Sequence, residues 1–123
     1  MVSAAPPATD RLEVLRERLR AFVAERDWEQ FHTPKNLSMA LVAETGELVE
    51  HFQWLTAEES DRLGPEARAE VELEIADVLL FLLRLCDRLG VDPLEAAQRK
   101  LALNAQKYPV DKARGRATKY DKL

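Results

Sequence analysis

Cysteine is nearly absent from this 123-residue chain: Cys86 stands alone, inside an apolar run. One thiol excludes a disulfide framework within the chain, and the sequence suits a reducing cytoplasm. Long hydrophobic runs are missing as well. The longest near-apolar stretch, Val78 to Leu85, is interrupted by Arg84 and is far too short to cross a bilayer. Strand signals are lacking: there is no alternating run and no Asn-Gly or Asp-Gly turn between β-branched segments. Positive charge is not in excess either, since the formal net charge is −4, so the chain is a poor electrostatic partner for nucleic acid. Residues 1–9 are rich in Ala and Pro without a basic start or an apolar block, and read as a loose tail.

What the sequence does contain is helix. Apolar residues make up 46% and charged residues 33%, the balance of a soluble, helix-rich globular domain. Leu12, Leu15, Leu19, Phe22 and Val23 share one face of a helix predicted from about Asp10 to Asp27. Thr33-Pro34 reads as the cap and first residue of a second helix carrying Leu37, Leu41, Leu48, Phe52 and Leu55. Thr56 to Glu59 has the form of a capping box opening a short turn. Pro65 starts a third long helix that stops before Gly90, with Val71, Ile75, Val78 and Leu82 as its expected core stripe. Asp92 to Glu95 opens a fourth, which Tyr108-Pro109 ends. These elements predict an all-α four-helix bundle over residues 10–109 with a basic arm over 110–123. The third helix is apolar almost all round, so the reading expects it to oligomerise, leaving parts of Leu73, Leu80 and Leu83 in water in a monomer.

Acidic residues fall in unexpected places. Glu44-x-x-Glu47 lies inside the second helix and Glu74-x-x-Asp77 inside the third, and a carboxylate in an apolar setting is costly. Glu44 falls in the middle of the apolar stripe, with no basic residue at i±3 or i±4 to neutralise it. Four such groups on neighbouring helices repel unless a cation sits among them. With no histidine or cysteine in the set, the pattern favours a hard metal, Mg²⁺ or Mn²⁺, and such oxygen-bound metals usually serve phosphates. An alternative of another class is a non-catalytic helical module docking a basic partner; the placement of Glu44 argues against it. Trp28 and Trp54 abut helix ends, where an indole can stack on a base. His32 can sit at a base edge, while Asn104 and Lys107 share one face of the fourth helix.

The two acidic pairs and the 26 residues between them resemble the signature of the MazG-like all-α nucleoside triphosphate pyrophosphohydrolases. Arg26-Asp27-Trp28-Glu29-Gln30-Phe31-His32, the stretch from Glu44 through Trp54, and Asn104, Lys107-Tyr108-Pro109 and Lys119-Tyr120 resemble the dCTP pyrophosphatase branch. The resemblance implies that Glu44, Glu47, Glu74 and Asp77 hold Mg²⁺ against a triphosphate. It places Trp28, Glu29, Gln30, Phe31, His32 and Trp54 around the base, with Phe81, Asn104, Lys107 and Tyr108 also meeting the substrate. It implies a homo-oligomer, dimer or tetramer, that converts dCTP or a modified dCTP to the monophosphate and pyrophosphate. A broader house-cleaning hydrolase is the alternative. The pattern departs at Leu19, where a histidine is expected, and at Phe81, where a tyrosine is expected.

Overall fold

The structure is a computed structural model that describes residues 8–123, with side chains from Arg11 onward. The tail expected over residues 1–9 therefore lies almost wholly outside the described residues. Six α-helices follow in order: α1 (Ala8–Glu25), α2 (Pro34–Glu50), α3 (Ala57–Ser60), α4 (Pro65–Leu89), α5 (Pro93–Lys107) and α6 (Val110–Ala113). Short 3₁₀ turns occupy Glu29–Phe31 and Tyr120–Lys122, and no strand occurs among the described residues. The chain divides into two compact units, one ending at Gly90 and one spanning Val91–Leu123.

Local chemistry accounts for the helix ends. Thr33 Oγ1 accepts from the Asn36 backbone at 3.2 Å, with Pro34 as the first helical residue of α2. Thr56 and Glu59 close both arms of a capping box, at 2.9 and 3.1 Å. Gly90, at φ 67°, ends α4 in the left-handed conformation that glycine adopts without a Cβ penalty. The exit of α1 is less ordinary. Asp27 takes φ 53° and the Trp28 N–H reaches back to the Val23 carbonyl at 3.0 Å. That is the six-to-one closure of a helix terminus, here with aspartate in the place glycine usually fills. Gln30 Nε2 donates to both the Asp27 carbonyl and its carboxylate at 3.0 Å, holding the turn.

In the first unit, α4 packs along α2 and, less extensively, against α1. Val23, Leu37 and Leu83 are each about 1% exposed and form the centre of the core, with Val71 and Cys86 also buried. The expected stripe on α4 needs correction. Ile75 and Leu82 are 52% and 41% exposed, whereas Glu74, Val78, Phe81 and Leu85 are half-buried. The inward face runs through positions 71, 74, 78, 81 and 85 because α4 is covered from two sides, by α1 and α2, and the mean of its hydrophobicity does not locate either. Leu83 is likewise buried by this chain's own helices, and Leu80 is half-buried; of the three leucines expected in water, Leu73 alone is well exposed. Helix α2 also ends before Phe52 and Leu55, which sit in the following turns.

Sequence reading misses a charged cluster between α1 and α4. Asp87 receives Arg16 Nη2 at 2.7 Å, Arg20 Nη2 and Nε at 2.9 and 3.0 Å, and Arg84 Nη1 at 3.4 Å. Arg16 and Arg84 are almost fully buried. Three guanidinium groups thus share one carboxylate.

The second unit consists of α5, α6 and the terminal turn. Asp92 caps α5 by accepting from the Leu94 and Glu95 backbone N–H groups at 3.0 and 3.2 Å. Near its end, Tyr108 meets Tyr120 edge-on at 6.0 Å, and Lys107 Nζ lies 4.8 Å over the Tyr120 ring.

Candidate metal centre and base pocket

Helices α2 and α4 bring Glu44, Glu74 and Asp77 together, each offering one carboxylate oxygen within 4.8 Å of the others. The i, i+3 spacing puts Glu74 and Asp77 on adjoining positions of one helical face, and Glu44 meets them from the neighbouring helix. Glu44 Oε2 and Glu74 Oε2 are both buried without a hydrogen-bond partner among the described residues. A buried carboxylate oxygen with no donor is costly. A cation would satisfy both oxygens at once, and an all-oxygen donor set suits a hard divalent ion. Glu47 does not join this group of three. It is exposed and lines a neighbouring hollow of about 450 Å³ with Glu50, His51, Glu70, Leu73 and Glu74. His51 Nε2 stands 3.7 Å from Glu74 Oε1 and its Nδ1 3.9 Å from Glu70 Oε2.

Burial and the neighbouring carboxylates both disfavour ionisation of Glu44. Burial first, then hydrogen bonding to Glu47 and the charges of Glu47, Asp77 and Glu74, raise its pKa from 4.5 to about 7. The folded chain binds this proton more tightly than the unfolded chain does. Its contribution to stability is therefore complete below the ordinary glutamate pKa and is lost as pH rises through about 7. The melting midpoint of metal-free protein should accordingly fall between about pH 5 and pH 8, and Glu44→Gln should flatten that fall. A Glu44→Gln profile as steep as wild type would assign the slope to other groups.

Asp77 also lines a second, more apolar cavity of about 270 Å³. Leu19, Phe22, Trp28, Leu80 and Phe81 supply its apolar walls, and His32 and Arg84 its remaining polar groups. Phe22 and Trp28 pack edge to face at 5.7 Å, and the Arg26 guanidinium covers the Phe22 ring at 3.7 Å. The left-handed turn at Asp27 delivers Trp28 here. Burial, followed by the charges of Arg84 and Arg88, lowers the pKa of His32, so its imidazole is neutral at pH 7.

Of the residues expected to meet the substrate, Trp28, His32 and Phe81 line this one cavity. Glu29, Gln30 and Phe31 do not line it; Gln30 supports Asp27, and the Phe31 carbonyl accepts from Asn36 Nδ2 at 3.0 Å. Trp54 is 86% exposed beyond the end of α2 and lies outside that cavity as well. Asn104, Lys107 and Tyr108 belong to α5 and its cap in the second unit. Arg84 was not among the expected residues, because a basic residue in an apolar run registers only as an interruption. Its partner Asp87, one turn on in the same helix, is the signal that could have found it.

Comparison with known proteins agrees with the geometry. The chain is 47% identical over 117 residues to mouse dCTP pyrophosphatase 1, covering 91% of this chain and 67% of the mouse protein. The human dCTP pyrophosphatase 1 is 46% identical over 114 residues, covering 91% of this chain and 67% of the human protein. Among solved structures, a pyrophosphatase from Archaeoglobus fulgidus superimposes with a TM-score of 0.78 at 40% identity, covering 89% of this chain and 99% of the archaeal one. The MazG-like family model matches residues 39–123, which include all four carboxylates. By sequence, fold and acidic signature, the chain belongs to the MazG-like family.

Proposed function

We propose that the protein is a Mg²⁺-dependent nucleoside triphosphate pyrophosphohydrolase that converts dCTP, or a modified dCTP, to the monophosphate and pyrophosphate. The pyrophosphohydrolase activity is supported by relatives that are named dCTP pyrophosphatases and by a structural neighbour named a pyrophosphatase. The observation that carries the reading is the contact between the two halves of the site. Three converging carboxylates stand at one end of an apolar, aromatic-walled cavity, and Asp77 belongs to both. A triphosphate and its base need that pairing of surroundings.

Glu44, Glu74 and Asp77 would hold the metal, with Glu47 on its open side. A bound divalent ion neutralises phosphate charge and acidifies a water, which is most of what phosphoryl chemistry requires. The chain's own residues do the rest. Phe22, Trp28 and Phe81 offer ring faces to a base, Leu19 and Leu80 exclude water around it, and His32 meets its polar edge. The resemblance also assigns Trp54, Asn104, Lys107 and Tyr108 to the substrate. Homo-oligomerisation fits the outward faces: Met39, Val42 and Val49 on α2, and Ile75, Leu79 and Leu82 on α4, stand 40–70% exposed. The enzyme would serve the cytoplasmic nucleotide pool; no helix among the described residues is long and apolar enough to cross a membrane.

The test is pyrophosphate release from canonical and modified triphosphates with Mg²⁺, repeated in ¹⁸O-labelled water. Label should enter the nucleoside monophosphate or the pyrophosphate. Label in orthophosphate alone, or no turnover of any triphosphate, would falsify the assignment. Trp28→Ala should raise KM about tenfold or more while metal affinity holds, since stacking acts on the base.

A further inference from the structure

We propose that Arg84 is a positioning residue that sets His32 as a hydrogen-bond donor toward the base. Arg84 is 4% exposed and lines the aromatic cavity beside Asp77. Its Nε–H donates to His32 Nδ1 at 3.2 Å. A guanidinium has donors only and keeps its proton at any pH a protein tolerates. Whatever ring atom faces it must therefore accept. Nδ1 of His32 is thereby the unprotonated nitrogen, and the imidazole's one proton is confined to Nε2.

The guanidinium is itself held. Arg84 Nη1 lies 3.4 Å from Asp87 Oδ2, and Asp87 is fixed from α1 by Arg16 and Arg20. The order of support runs from α1 through Asp87 and Arg84 to His32, and burial leaves Arg16, Asp87 and Arg84 little room to rearrange. Neighbouring charge acts in the same direction. Arg84 and Arg88 both disfavour protonation of the imidazole, and Glu29 is too weak a counterweight. A neutral ring with one fixed N–H differs from a free histidine, which offers a donor or an acceptor at either nitrogen.

The consequence for specificity concerns the polar edge of the base. Apart from Asp77, which belongs to the carboxylate cluster, and the Trp28 indole N–H, itself a donor, His32 and Arg84 are the polar side chains lining the cavity. Both present donors. The edge they meet must carry acceptors, which for cytosine means its ring carbonyl and unprotonated ring nitrogen. A pocket built to pair with a group rejects an analogue lacking it more strongly than an apolar pocket rejects a change in size.

This part of the inference rests on the base-pocket reading above; the tautomer of His32 does not, and can be measured without nucleotide. In ¹⁵N NMR of uniformly labelled protein at pH 7, with His51→Gln assigning the second histidine, His32 should show Nε2 protonated and Nδ1 bare. Finding Nδ1 protonated, or both nitrogens, overturns the proposal in wild-type protein, whatever any variant does. Arg84→Met should yield a mixture of tautomers and a higher His32 titration midpoint, with Arg84→Lys restoring much of the wild-type pattern. In turnover assays Arg84→Met should raise nucleotide KM about tenfold with kcat nearly kept. A loss of thermal stability with an unchanged tautomer and unchanged KM would show that Arg84 serves only the fold. Should wild-type protein hydrolyse no triphosphate, the function fails while the tautomer result stands.

Discussion

Glu44→Gln, Glu74→Gln and Asp77→Asn should each cut turnover at least about a hundredfold, because each removes one anionic ligand from a shared cluster. Glu47→Gln is expected to follow, with a smaller loss if its place is on the open side of the group. The three inner variants should fold. In metal-free protein Glu44→Gln should be as stable as wild type or more so at pH 8, since it removes a charge that Glu47, Asp77 and Glu74 all oppose. Magnesium should then distinguish the proteins. A ligand that binds the native state alone raises the melting midpoint by mass action, so wild type should gain stability with Mg²⁺ and nucleotide while the variants gain little. Near-normal turnover by all four at saturating Mg²⁺ would move the active site elsewhere.

Asp87→Ala should cost about 3–5 kcal/mol of stability, the range for removing one partner from a buried ion pair. In a chain of this length that corresponds to a drop of roughly 10 °C or more in the melting midpoint. The side chains of Asp87 and Arg16 are each 10% exposed and that of Arg84 is 5%, so the arginines left behind have no ready access to water. Arg20, at 41%, can turn to solvent and contributes less. Burial by itself would raise the Asp87 pKa, but hydrogen bonds from Arg20 and Arg16 and their charges outweigh it and hold the carboxyl below its ordinary value of 3.8. Its stabilisation is complete above that ordinary value and disappears as pH falls through the lowered one. Glu44 acts in the opposite direction, losing stability as pH rises through about 7. Metal-free protein should therefore be most stable in mildly acid solution. A calorimetric pH series on wild type, Asp87→Ala and Glu44→Gln checks both limbs, and an Asp87→Ala variant melting within a degree or two of wild type would remove the network from the account.

Much of this molecule is legible in the sequence because helix ends are chemically local. Thr33, Thr56, Gly90 and Asp92 announce themselves within a few residues, and each does in the structure what its neighbours suggest. The carboxylate cluster is legible for a related reason: Glu44 has no cation within a helical turn, and that lack is visible without coordinates. Pairings between distant segments are not. Arg16 and Asp87 are 71 positions apart, so nothing near either residue hints at the other. The face of α4 that meets its neighbours was misplaced by one position at Ile75 and Leu82, since an almost uniformly apolar helix carries little phase information. Glu29, Gln30 and Phe31 illustrate a different limit. They sit in a block whose resemblance suggests function, yet the Gln30 amide is engaged in holding the turn at Asp27.

Helix α4 carries Glu74 and Asp77, then Phe81, then Arg84 and Asp87, on one unbroken rod. At 1.5 Å per residue, Glu74 and Arg84 are separated by about 15 Å along its axis. One rigid element therefore sets the span between the carboxylates and the far wall of the aromatic cavity. Adding or deleting a single residue between Asp77 and Phe81 would rotate everything downstream by about 100°, turning Phe81 and Arg84 away while the acidic end stayed in place. The segment joining α2 to α4 has no such constraint. Natural variation in length should collect between His51 and Gly64, and related chains that favour other bases should differ by substitutions at positions such as 81 and 84, with the spacing from 74 to 84 unchanged.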